Sequence, residues 1–256
     1  MSANPIYTRH HSLNCGFTLV ELAIVMTIIG LLIGGILKGQ ELINNAGIKA
    51  TVQQVQGYRA AYETFHDIYN SIPGDMVNAT SRIPNCTAAN NCYNGNGDGM
   101  VGMMTDNFSH DDQSATTALP QLETTMFWKH LADANLISGI NISADPLKPA
   151  WGETHPAAKF NGGFHTLLTN ETGDNAASGM YFMLHLTAAG DPNPGPNNPA
   201  VLTSVQAQSI DIKFDDGNGK TGTIHVDDGG NRCTAATTGV YYNRTDKACL
   251  MIFNLN

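Results

Sequence analysis

Apolar and polar positions divide the chain into regimes with different periods. From Phe17 to Leu37 the chain is almost unbroken hydrocarbon, with Glu21 as its one formal charge. A helix over these 21 residues spans roughly 30 Å at about 1.5 Å per residue, the thickness of a bilayer core. The run has no proline, and membrane helices tolerate its Gly30, Gly34 and Gly35, which also permit close helix contact. Beyond Lys38 the pattern narrows to a stripe. Ile48, Val52, Val55, Tyr58, Tyr62, Phe65 and Tyr69 follow one another at steps of three or four. Gln53, Gln54, Gln56, Arg59 and Glu63 fall on the other faces. That spacing predicts an amphipathic helix whose aromatic stripe packs into a core. Ile72-Pro73-Gly74-Asp75 is a stop signal. One helix is therefore predicted from Phe17 to about Asn70, its first half suited to lipid and its second half packed on a globular head.

The rest of the chain predicts that head. Met76–Leu119 is polar, rich in Gly and Asn, and without a period. A second helix is predicted over Leu119–Ile137. Pro120 suits its first turn, Leu122, Met126, Phe127, His130 and Leu131 line one face, and Ser138-Gly139 ends it. His130 falls at the border of that face. Trp151, in a proline-punctuated stretch, is read as a plug of the head core. Met180–Leu186 is the best strand, and Cys249–Phe253 predicts a final one. Asn198-Pro199 is placed as the cap of a short helix through Gln208. Ile210–Phe214 alternates like a strand, and with Thr221–Val226 it predicts a hairpin around the Asp215–Gly219 turn. The fold class expected is α+β: a long N-terminal helix on a small antiparallel-sheet head with long loops and disulfides.

Composition refines this picture. The 256 residues carry 13 Lys+Arg against 22 Asp+Glu, a formal charge of −9. Such a chain does not bind nucleic acid through its bulk surface, because phosphate contacts need clustered cations. Only 14% of residues are charged and 26 are Gly, a loop-rich, neutral-polar composition common in exported proteins. Of the five cysteines, Cys15 adjoins the apolar run. A cut after Gly16 removes it and leaves Cys86, Cys92, Cys233 and Cys249, an even set that suits two disulfides in an oxidising compartment. Four cysteines allow three connectivities, and proximity in sequence favours Cys86 with Cys92 and Cys233 with Cys249. The second pair encloses 15 residues, for which loop entropy gives about 3 kcal/mol.

Candidate chemistry is sparse. Asn94-Gly95-Asn96-Gly97-Asp98-Gly99-Met100-Val101 has oxygen side chains at alternate positions, Gly at the sixth and an aliphatic residue at the eighth. This is similar to the start of an EF-hand-type Ca²⁺ loop. The distal acid falls on Thr105, which cannot chelate, and Asp106 is one residue late. The candidate ligands of a structural calcium are thus Asn94, Asn96, Asp98 and Asp106, against the plainer reading of a Gly/Asn turn cluster. Gly219-Lys220-Thr221 lacks the earlier glycine of a phosphate loop, since Phe214 occupies that place. No H-E-x-x-H, C-x-x-C or G-x-S-x-G occurs, and the histidines are scattered singly. No catalytic residue, and no cofactor beyond that calcium, is expected.

Glu21 poses the sharpest question. A secretory signal peptide has a shorter apolar run with its small-residue cleavage site after it. A plain anchor explains the length but not an acid that costs at least about 2.5 kcal/mol at mid-membrane. Gly16-Phe17-Thr18-Leu19-Val20-Glu21, followed by the apolar run, resembles the prepilin cleavage and methylation motif of type IV pilins and type II secretion pseudopilins. The resemblance implies a leader over 1–16, cleavage between Gly16 and Phe17, N-methylation of Phe17, and Glu21 as the family's retained acid. It divides the remainder into an assembly helix at 17–37, a stalk helix at 38–71 and a head at 72–256. Its implied partners are prepilin peptidase, an inner-membrane assembly platform and other pilin or pseudopilin subunits. The implied location is the bacterial inner membrane, N-terminus cytoplasmic, then a periplasmic or extracellular filament. Two features depart from the family pattern: Arg9 is the leader's one Lys or Arg, and Lys38 stands where many pilins carry a kinking Pro. The head is matched more loosely, through Pro73–Thr80, the Asn/Gly loop and the terminal Cys pair. The function expected is a structural subunit, a pseudopilin or minor pilin; the alternative is a membrane-tethered binding or adhesion module.

Overall fold

The computed structural model describes residues 18–101, 123–159, 162–169, 179–186, 188, 200–227, 232–235 and 237–255. Gly16, Phe17 and Asp106 therefore lie outside the described residues. The chain divides into two compact units, Met1–Asn45 and Ala46–Asn256. Helix α1, Leu19–Tyr69, contributes to both.

In the first unit every residue from Thr18 to Lys38 is exposed. The helix is long and apolar enough to cross a membrane. In lipid a helix satisfies its own backbone groups, so an exposed apolar surface there has a suitable solvent. Just past the run, Lys38 Nζ and Glu41 Oε2 form an exposed pair at 2.6 Å, a contact of small energetic weight.

In the second unit the α1 stripe turns inward. Ile48, Thr51, Val52, Val55, Tyr58, Ala61 and Phe65 are buried, and Tyr62 and Tyr69 are half-buried at its border. The helix ends where Asn70 takes a left-handed φ of 46° and donates its N–H to His66 O at 2.8 Å. Helix α2 (Ala79–Arg82) and a 3₁₀ turn (Ala88–Asn90) follow, then α3 (Glu123–Asp133). Every residue of α3 is buried, charged ones included. Tyr58 packs edge-on against Trp128 of α3 and Phe164 of the sheet, with ring centroids 5.1 and 5.5 Å away. Trp128 is thus the tryptophan of the core. Trp151, expected there, is half-buried, donating Nε1–H to Leu186 O at 2.8 Å and standing edge-on to His155 and His165.

The sheet is antiparallel throughout, with strands β1 (Gly163–Thr169), β2 (Gly179–His185), β3 (Leu202–Thr203), β4 (Ile224–Asp227) and β5 (Lys247–Asn254). The order is β1-β2-β5-β3, with β4 also on β5, which makes β5 the hub. Phe182 lies opposite Phe253, and Leu184 opposite Met251. Both faces are covered. Met180, Phe182, Leu184, Met251 and Phe253 enter the main core, while Tyr181, Met183, Leu250 and Ile252 form a second cluster. Double coverage explains why β2 and β5 read as continuous apolar runs rather than alternating ones.

Other expectations are corrected as well. Ile210–Phe214 is not a strand but the last part of helix α4, Ser204–Phe214. Its N-cap is Thr203, and residues 200–202 before it are not helical, while Asn198 and Pro199 lie outside the described residues. Thr203 Oγ1 accepts the Gln206 N–H, and Gln206 Oε1 accepts the Thr203 N–H, a capping box. Ala207, Ile210 and Asp211 turn inward while Ile212 is 61% exposed. A buried acid beside an exposed isoleucine imitates strand alternation. The acid is accommodated because Asp211 accepts bonds from Tyr241 Oη at 2.7 Å and Gly217 N at 3.1 Å. The expected hairpin therefore does not form, and β4 pairs with β5 instead. The last correction is His130, which is fully buried rather than at a helix border.

Candidate assembly site

Thr18 and Glu21 are joined by three reciprocal hydrogen bonds. Glu21 Oε2 accepts from Thr18 N and from Thr18 Oγ1, each at 2.9 Å. Thr18 Oγ1 in turn accepts the Glu21 N–H at 3.2 Å. This is a capping box at the head of α1, satisfying two backbone donors that the helix leaves open. It also sets the carboxylate at the positive end of the helix macrodipole. Glu21 thus has a role within one chain, which the sequence reading did not assign. The signal was present, since Thr-x-x-Glu ahead of an apolar run is the capping-box pattern.

In the head, the structure joins Cys86 to Cys92 and Cys233 to Cys249, with Cα separations of 5.1 and 5.2 Å and all four residues buried. The first bridge closes the chain just before the Asn/Gly loop. Asn94 Oδ1 accepts from Thr80 N and Oγ1, Asn96 Oδ1 from Asp98 N, and Asp98 Oδ1 from Met100 N. Each expected ligand oxygen is thus engaged by the loop or its neighbour, while Asp106 is outside the described residues.

The loop instead folds around acids from elsewhere in the chain. Gly97 N donates to Asp75 Oδ1 at 2.6 Å, Gly99 N to Asp75 Oδ2 at 3.0 Å, and Asn96 N to Glu123 Oε1 at 2.9 Å. Oxygens of Asp75, Asp98 and Glu123 lie within 4.8 Å of one another, donors of the hard kind that Ca²⁺ takes. Burial pushes the Asp75 carboxyl up, the Gly99 and Gly97 N–H groups oppose this, and the Asp98 charge adds to it. Asp75 and Glu123 were not among the sequence candidates, because only the tertiary fold brings them to residue 97.

His130 fastens this region. Its Nδ1 accepts the Gly74 N–H at 2.9 Å, and its Nε2–H donates to Tyr93 O at 2.8 Å. The ring is therefore the neutral Nε2–H tautomer. Burial drives its pKa down to about 4, against the pull of the Tyr93 carbonyl and with help from the Lys129 charge. Gly74 has a φ of 89°, and a Cβ there would meet Glu123 O, so the turn requires glycine. On α3, Lys129 Nζ and Asp133 Oδ2 form a buried pair at 2.7 Å.

Residues 12–37 match the family model for the prokaryotic N-terminal methylation motif. This motif is characteristic of type IV pilins and pseudopilins. It implies processing by prepilin peptidase and assembly with other pilin subunits, and it points to a structural protein. Neither a curated protein nor a solved structure matches the chain.

Proposed function

We propose that this chain is a pseudopilin or minor pilin of a type IV pilus-like filament or type II secretion pseudopilus. The observation that carries the reading is the methylation motif at 12–37 leading directly into a helix exposed from Thr18 to Lys38. Prepilin peptidase cuts between Gly16 and Phe17, and the new Phe17 amine is methylated. The inner-membrane platform then moves the helix from lipid into a parallel bundle of like helices. A neighbour's N-terminal amine beside Glu21 compensates in low dielectric for the desolvation of the acid. The Thr18–Glu21 box supports this path at its first stage, because it lets a lone subunit hold the carboxylate in lipid with two of its hydrogen bonds made.

N-terminal mass analysis of the mature protein tests the reading. N-methyl-Phe17 is expected, and an intact Met1 would overturn it. Deleting the gene and scoring secretion, twitching and DNA uptake then assigns the machine.

A further inference from the structure

We infer that Asn96 is a site of self-catalysed deamidation, its side-chain amide attacked by the Gly97 backbone nitrogen with the Asp75 carboxylate as base. Three Asn-Gly pairs lie among the described residues: Asn94-Gly95, Asn96-Gly97 and Asn218-Gly219. Glycine after asparagine removes the side chain that would obstruct such an attack. The pairs differ in what the attacking N–H meets. Gly95 N donates to Met76 O at 2.9 Å and Gly219 N to Gly239 O at 3.1 Å. Gly97 N donates to a carboxylate oxygen, Asp75 Oδ1, at 2.6 Å. A carbonyl cannot take up that proton, whereas a carboxylate within hydrogen-bond reach can.

Exposure separates the pairs in the same direction. Gly95 and Gly219 are buried, while Asn96 and Gly97 are exposed. Ring closure needs the peptide to rotate, and the later hydrolysis needs water. At Gly95 a Cβ would overlap the backbone of Gly74 and Asp75, whereas at Gly97 it would meet only the Val77 side chain. Polarisation of the amide carbonyl does not discriminate, because Asn94, Asn96 and Asn218 Oδ1 each accept a backbone N–H.

The chemistry closes without an oxidant or reductant. As the Gly97 N–Asn96 Cγ bond forms, Asp75 takes the amide proton. The Cγ–Nδ2 bond then breaks, and that proton leaves with the nitrogen as ammonia. Solvent water opens the resulting succinimide at either carbonyl, giving aspartate or isoaspartate and a regenerated Asp75. The product replaces the Asn96 Nδ2–Asp98 Oδ2 hydrogen bond, now 2.9 Å, with two like charges. This inference stands apart from the assembly reading.

The test ages the full-length protein in detergent and heavy-oxygen water at neutral pH, with a parallel sample in urea. Peptide mass spectrometry follows label uptake at Asn94, Asn96 and Asn218. In the folded protein Asn96 is expected to convert about a hundredfold faster than the other two, the lower end of what a positioned general base contributes. Asp75→Asn is expected to slow Asn96 to their level. Equal rates at all three sites in the folded protein would overturn the proposal. So would an unchanged Asn96 rate in Asp75→Asn while Asn218 stays protected. If that variant unfolds, Asn218 rises to its urea rate, and the folded wild-type ratio decides alone.

Discussion

Glu21 serves two ends with one carboxylate, and a conservative variant separates them. Glu21→Gln keeps a side-chain oxygen to accept the Thr18 N–H but removes the charge. It is expected to accumulate in the membrane yet be lost from filaments, read by immunoblot of sheared and cell-bound fractions. Wild-type incorporation would sink the charge-pairing account. His130 offers a second single-residue test. Its folded pKa of about 4 lies below the ordinary 6.5, so between these values the unfolded chain binds the extra proton. Its contribution to stability is therefore complete above about pH 6.5 and declines as the pH falls toward 4, by about 3 kcal/mol. Asp75 and Asp133, both pushed up by burial, act in the opposite sense, favouring the fold as they protonate. His130→Gln in the full-length protein is expected to flatten the acid decline, seen as a smaller shift of the urea midpoint between neutral and acidic buffer. An unchanged pH slope would remove His130 from that role.

At the scale of elements, the contrast between α1 and α4 is informative. The α1 stripe keeps a helical period over seven apolar positions, so its burial could be read from spacing. Helix α4 buries Asp211 and exposes Ile212, so its polarity pattern points away from its fold. What defines its start is the Thr203–Gln206 capping box. Thr203→Ala is expected to cost about 1 kcal/mol, measured as a lower urea midpoint at unchanged slope. A Thr203→Ser variant retains the acceptor and should recover most of that loss. If Thr203→Ala is neutral, the box does not hold the helix. Helix α3 was half legible: Met126, Phe127 and Leu131 mark an apolar face, but burial of Lys129, His130 and Asp133 needs partners that local sequence does not reveal.

Across the whole molecule, the two disulfides close loops of different length. Sequence separations are 16 for Cys233–Cys249 and 6 for Cys86–Cys92. Loop entropy gives about 3 kcal/mol for the longer loop and about 2 for the shorter. Cys233→Ser/Cys249→Ser is therefore expected to lower the urea midpoint more than Cys86→Ser/Cys92→Ser. The reverse order would mean that packing around Cys86, Cys92 and His130, rather than loop closure, sets the effect. The longer bridge also ties residue 233 to β5, the hub of the sheet.

The sequence alone determined what short-range periodicity and motif can encode. The apolar run and its acid, the α1 stripe ending at Pro73-Gly74, and the strands at Met180 and Cys249 all show in windows of a few residues. The methylation motif is likewise a contiguous string, legible without coordinates. Tertiary structure decided what depends on segments far apart. Asp75 and Glu123 meet at the Asn96–Gly97 backbone, and His130 joins Gly74 to Tyr93. β4 finds β5, and Trp128 rather than Trp151 fills the core. The physical reason is that a buried polar group or paired strand is stable only beside its specific partner, and a distant partner leaves no period in the local pattern.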